Sequence, residues 1–97
     1  MDPEQPDILI SDVVTSTAGR DQGKLFYVIN VDTDYLMLVN GKDRTLDKPK
    51  RKKRRHVQKV LRPETRVADK IRNGDKVLNS ELRRDLAFLS REMQVTP

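Results

Sequence analysis

Lys24-Leu25-Phe26-Tyr27-Val28-Ile29-Asn30-Val31 is followed, after Asp32-Thr33-Asp34, by Tyr35-Leu36-Met37-Leu38-Val39. Both apolar runs are short and rich in β-branched and aromatic side chains, which disfavours a helix and predicts two strands, the first of them central. Asp32-Thr33-Asp34 between them makes a tight connection. Two aspartates two positions apart also fit a divalent-metal site or a general acid/base pair, yet turn aspartates usually cap their own backbone.

Before this pair, Ala18-Gly19-Arg20-Asp21-Gln22-Gly23 is turn chemistry: its glycines take positive φ or permit a backbone approach that a Cβ would block. Ile8, Leu9, Ile10, Val13 and Val14 lead into Thr15-Ser16-Thr17 and predict a strand ending near Thr17. Residues 1–7 hold Pro3, Pro6 and three acids and read as a flexible tail without function. After the pair, Asn40-Gly41 predicts a type I′ hairpin turn. A further strand is expected near Arg44–Leu46, and His56–Leu61 is placed to close a small barrel, which would remove its edges.

Beyond Arg62 the period becomes helical. Pro63-Glu64 suits a first turn, Val67, Ala68 and Ile71 form one face, and Asn73-Gly74 is a stop. A second helix begins with Asn79 or Ser80 as cap and Glu81 in its first turn, and carries Leu82, Leu86, Leu89 and Met93 on one stripe. The expected organisation is therefore a tail (1–7), a mainly β barrel with a basic loop (8–62) and a two-helix extension (63–97).

Charge is segregated along this frame. From Lys48 to Lys59 stand eight Lys or Arg, one His and no acid: Lys48, Lys50, Arg51, Lys52, Lys53, Arg54, Arg55 and Lys59, with His56 among them. Residues 42–62 hold eleven basic side chains, including Lys42 and Arg44, against two acidic ones, a surplus of nine in a chain whose formal net charge is +5. The remainder is thus mildly acidic. Such a cluster repels itself in isolation and is relieved opposite a polyanion that releases counterions, so nucleic acid is the first partner to consider. A solvated loop and a nuclear-import signal are the competing readings of the same run.

Other classes have less support. Ninety-seven residues bound one small core. Without cysteine there are no disulfides and no Cys-ligated zinc, and the lone His56 has no second His with which to share a metal; no cofactor is expected. The acidic start does not resemble a secretory signal, and no apolar stretch approaches the ~18 residues that span a bilayer, so a soluble cytoplasmic protein away from membranes is expected. Phe26, Tyr27, Tyr35 and Phe88 are the aromatics, read as core, with Tyr35 the best exception as a base-stacking residue. So few free aromatics favour recognition of structured RNA by backbone and shape.

Val13 to about Asn40 resembles a KOW motif, with Gly23 at the eleventh position of its alternating apolar pattern. The wider stretch, AGRDQGKLFYVINV, then VNGKDR, then the Pro-basic run ending in His56, is similar to archaeal and eukaryotic large-subunit ribosomal proteins of the L-fourteen-e type and their bacterial KOW relatives. NSELRRDLAFL looks like the helical ending of some bacterial members. The resemblance covers about half of the chain. It implies an SH3-like barrel without catalytic activity whose loops contact RNA, with ribosomal RNA as the usual ligand. Carried onto this sequence, it implies that Gly19 and Gly23 shape a loop, that Arg20 and Lys24 contact phosphate, and that Lys50 to Arg55 with His56 face RNA. Lys42, Arg44, Lys48 and Lys59 complete the expected RNA-binding set, and Asn40 and Gly41 join the turn residues. The expectation is a ribosomal or ribosome-associated component with ribosomal proteins as neighbours. Its alternatives are a transcription or RNA-processing accessory and a protein-interaction adaptor.

Overall fold

The computed structural model describes residues 7–93. The expected tail therefore lies outside the described residues except for Asp7. Five strands, β1 (Val13–Ser16), β2 (Leu25–Val31), β3 (Tyr35–Val39), β4 (Lys50–Lys53) and β5 (Val57–Leu61), precede α1 (Arg66–Asn73) and α2 (Asn79–Glu92), and a single 3-10 turn, Arg54–His56, links β4 to β5. All strand pairs are antiparallel, in the order β4-β3-β2-β1-β5.

The sheet is apolar on both faces. Val14, Phe26, Val28, Leu36, Leu38 and Val57 enclose one cluster together with Ile8. Val13, Tyr27 and Val39 point the other way and meet Val67, Ala68, Leu82, Leu86 and Leu89 of the helices. This is why β2 reads as an unbroken apolar run rather than an alternating one. A bulge between Val28 and Asn30 shifts its register against β3.

The polar group most deeply shared between the layers is Tyr27. Its hydroxyl donates to the Asp85 carboxylate and lies 3.3 Å from Thr65 Oγ1, which donates to the same carboxylate at 2.8 Å. Burial, and then the hydrogen bond to Asp85, push the Tyr27 hydroxyl well above its ordinary pKa. Thr65 also accepts from Ala68 N at 3.1 Å, so one side chain caps α1 and ties it to the sheet and α2.

Several expectations are corrected here. Ile8–Asp12 is a turn, not the start of a strand: the Asp12 carboxylate accepts from Leu9 N at 2.8 Å, and Ser11 has φ +80°. Asn40-Gly41 is not a two-residue hairpin. Asn40 Oδ1 accepts from Lys42 N at 2.9 Å and Arg44 N at 3.0 Å, opening a longer loop at 40–49, and no strand forms at Arg44–Leu46. The sheet stays open, because β5 pairs with β1 while β4 holds the opposite edge. α1 starts after Pro63-Glu64. The α2 N-cap is Leu78, whose N–H donates to Glu81 Oε1 at 2.9 Å; Asn79 instead accepts from Leu46 N at 2.9 Å. Phe88 is 44% exposed and does not belong to the core.

Candidate nucleic-acid interface

The basic run is not a loop. Lys50–Lys53 forms β4, hydrogen-bonded along one side to β3 in the register Tyr35↔Lys53, Leu36↔Lys52, Met37↔Arg51 and Leu38↔Lys50. A strand alternates its side chains, so Lys50 and Lys52 share the face of Leu36 and Leu38, and Arg51 and Lys53 share that of Tyr35 and Met37. Arg51 and Lys53 are exposed, and the Arg51 guanidinium stacks 3.5 Å from the Tyr35 ring centroid.

Lys52 is the exception within the run. It is only 8% exposed. Its ammonium donates to Ala18 O at 2.7 Å and Asp21 Oδ1 at 2.9 Å, and Ser16 Oγ donates to that same carboxylate oxygen at 2.9 Å. Burial works against the Asp21 charge, but the hydrogen bonds from Lys52 and Ser16 outweigh it and hold the carboxyl below its ordinary pKa. Lys52, expected to contact RNA, therefore pins the β1–β2 loop to β4 with its ammonium engaged inside the fold.

Around that pin, Gly19, Arg20, Asp21, Lys24, Phe26, Asp43, Arg44, Lys50 and Lys52 line a cavity of about 220 Å³. The fold thus gathers Arg20, Lys24, Arg44 and Lys50 from three separate stretches of sequence. Lys24 sits 2.6 Å from Asp43, whose carboxyl that bond lowers below the ordinary range. Arg20, Arg44 and Lys50 form no ion pair among the described residues. Gly23, at φ +88° with open space where a Cβ would stand, is required for its backbone angle and not for close approach. Gly19, at φ +84°, would also bring a Cβ to 3.4 Å from Lys52 Nζ.

At the other end of β4, Asp34, Tyr35, Lys53, Arg54 and Arg55 line a cleft of about 310 Å³. Arg54 N donates to Asp34 O at 2.9 Å, tying the 3-10 turn to the β2–β3 connection. Asp32 Oδ1 accepts from Thr33 N at 2.9 Å, the turn-capping role read for it. His56 is half-buried, and its carbonyl accepts from Thr17 N at 2.9 Å.

Lys59 lies apart from both sites. It sits 3.3 Å from the fully buried Asp12 carboxylate, which Arg62 Nε approaches to 3.5 Å, so Lys59 answers an internal charge. Lys42 and Lys48 are exposed. Lys42 lines a groove of about 460 Å³ together with Arg83 of α2, whose guanidinium donates to Gly41 O at 2.7 Å. Among the described residues no three His, Asp or Glu side chains converge as metal ligands.

No family model matches the chain, and no curated protein matches it. The expected binding set divides into exposed Arg20, Lys42, Lys48, Arg51, Lys53 and Arg55, half-buried Arg44, Lys50, Arg54 and His56, and three lysines, Lys24, Lys52 and Lys59, already paired with acids. The sequence offered Asp34 only as half of an aspartate pair, for metal binding, acid/base work or backbone capping; its place in this cleft follows from its position beside Tyr35, which the strand register brings opposite Lys53.

Proposed function

We propose that this chain is an SH3-like, KOW-type domain that binds structured RNA, with large-subunit ribosomal RNA as the ligand and a ribosome-associated cytoplasmic role. The carrying observation is the trio Arg51, Lys53 and Arg55: three exposed cations on an edge strand and the turn after it, with half-buried Arg54 between them, none ion-paired among the described residues. Exposed cations without acids hold counterions, and their release on phosphate binding drives association. The meander β2-β3-β4, with β1 between β2 and β5, agrees with an SH3-like arrangement left open between β4 and β5. The cations of the β1–β2 loop cavity would extend the phosphate-binding surface. Sequence specificity is low in this reading, since backbone and shape supply most contacts.

Affinity for a structured RNA, followed by fluorescence anisotropy over a potassium chloride series, tests the proposal. Replacing Arg51, Lys53 and Arg55 together by Gln is expected to make the log–log salt slope shallower by about 2, at roughly 0.7 per lost phosphate contact. An unchanged slope removes the β4 face from the interface. Sedimentation of wild type with large ribosomal subunits at low salt, and its release by that triple substitution, tests the ribosomal part of the proposal. Migration with RNA polymerase instead selects the transcription alternative.

Phe88, exposed on α2, favours a second reading as a protein-interaction adaptor. Partner binding that survives the triple substitution but not Phe88→Ser would select it.

A further inference from the structure

The cleft at the end of β4 combines groups that a phosphate-only surface does not need. Its lining brings one carboxylate, Asp34, and one phenol ring, Tyr35, together with three cations, Lys53, Arg54 and Arg55. Asp34 enters no ion pair with any of the three among the described residues, although they share the same walls. Arg51 covers one face of the half-buried Tyr35 ring and is not part of the lining, whereas Tyr35 itself is. At about 310 Å³ the space stands at the lower end of small-ligand pockets, which admits one nucleotide and excludes a duplex.

A ligand that fits must offer hydrogen-bond donors to a carboxylate, a flat π surface to a tyrosine and negative charge to lysine and arginine. Unpaired guanine in a nucleic-acid strand meets all three conditions. Its Watson–Crick edge presents two neighbouring donors, N1–H and the N2 amino group, matched to the two oxygens of one carboxylate. Adenine and cytosine each place an acceptor beside their single amino group, and uracil flanks its N3–H with two carbonyls; all three would set a lone pair against Asp34. Stacking on an aromatic ring and reading of a Watson–Crick edge are how unpaired RNA bases are recognised. We infer that this cleft is a subsite for one unpaired guanine nucleotide of an RNA strand, with Asp34 selecting the base, Tyr35 stacking on it, and Lys53 and Arg55 holding its flanking phosphates. This inference rests on the RNA-binding reading and adds base preference to it.

The test uses the full chain and a set of RNA hairpins of one stem sequence, carrying a single bulged G, A, C, U or inosine, or no bulge. The G bulge is expected to bind roughly tenfold more tightly than the unbulged stem, and inosine, which lacks the N2 amino group, to fall between them. Asp34→Asn should abolish the preference for G while leaving affinity for the unbulged stem equal or higher, because a negative charge has gone. Tyr35→Leu should weaken every bulged hairpin and spare the stem. Circular dichroism and thermal unfolding of both variants report whether the fold is kept. Equal affinity for all hairpins overturns the guanine subsite and leaves RNA binding standing, whereas the absence of salt-dependent binding to any hairpin overturns both. Tight binding of free 5′-GMP, with no gain from embedding the base in RNA, overturns the RNA-borne form of the inference.

Discussion

Individual residues of the basic run differ more in role than in type. Lys52 and Arg51 are neighbours of like charge, yet Lys52 is folded onto Asp21 and Ala18 while Arg51 faces outward over Tyr35. Lys52→Met is therefore expected to lower stability by about 2 kcal/mol, since it leaves Asp21 and a carbonyl with fewer partners, and to leave the salt slope of RNA binding unchanged. Urea unfolding and anisotropy on the same preparation check both halves. Because the folded-state pKa of Asp21 is depressed below 3.8, its contribution is present above that value and is lost as pH falls through the lower folded-state pKa. Asp21→Asn should thus be less stable than wild type at pH 7, and the gap should narrow steadily below about pH 4. A gap that widens in acid would contradict the assigned sign. Two glycines make a second contrast. A Cβ on Gly41 would stand 2.3 Å from Asn79 O at φ +78°, whereas Gly23 has open space. Gly41→Ala is expected to cost about 2–4 kcal/mol and Gly23→Ala about 1 kcal/mol, measured as shifts in the urea midpoint.

Among the elements, the sequence was most legible where apolar content and boundaries agree. Leu25–Val31 and Tyr35–Val39 are largely apolar runs separated by Asp32-Thr33-Asp34, and the strands occupy nearly those limits. Gly74 stops α1 in the left-handed conformation, as its position after Asn73 implied. β4 was not legible because alternation between buried and exposed positions leaves no trace when every position is basic. Only the partner strand and the acid at Asp21 distinguish Lys52 from its neighbours. The Asn40-Gly41 turn failed for another reason: the Asn40 side chain satisfies two N–H groups of its own loop, and Gly41 is committed to contact with α2. At α1 the Pro63-Glu64 pair suits a first helical turn, but the helix begins two residues later because the Thr65 side chain accepts from Ala68 N and caps it. Thr65→Ala removes the cap and one donor to Asp85, and is expected to lower the melting temperature by the equivalent of about 1–2 kcal/mol, with Thr65→Ser restoring most of it.

At the scale of the whole molecule, the two-layer arrangement makes the helices integral to the sheet and not an appendage. Tyr27, Val13 and Val39 are fully buried by them, and each such side chain loses roughly 1.5–3 kcal/mol when left in water. A chain ending at Arg62 is expected to lose cooperative thermal unfolding and to bind a hydrophobic dye, whereas an independent barrel would melt as wild type does. The apolar stripe of Leu82, Leu86 and Leu89 made the covering face readable in advance. The openness of the sheet was not, because whether β4 reaches β5 depends on the short 3-10 turn and not on the composition of either strand. The candidate interface follows the same division. Its charge was plain in the sequence, but its separation into a loop cavity, a nucleotide-sized cleft and internal counterions required the strand register.

The strand order also governs how the chain acquires its shape. β2, β3 and β4 pair with sequence neighbours, but β1 is completed only when Val57–Leu61 returns to it across the forty residues between Ser16 and Val57, the register joining Val13 to Leu61. Local pairings form early and distant ones carry the closure entropy, so the meander is expected to assemble first and the β1–β5 seam to seal last. Val57→Ala, which trims a buried side chain on that seam, would then accelerate unfolding and scarcely slow refolding, leaving the seam as the place where the molecule first comes apart.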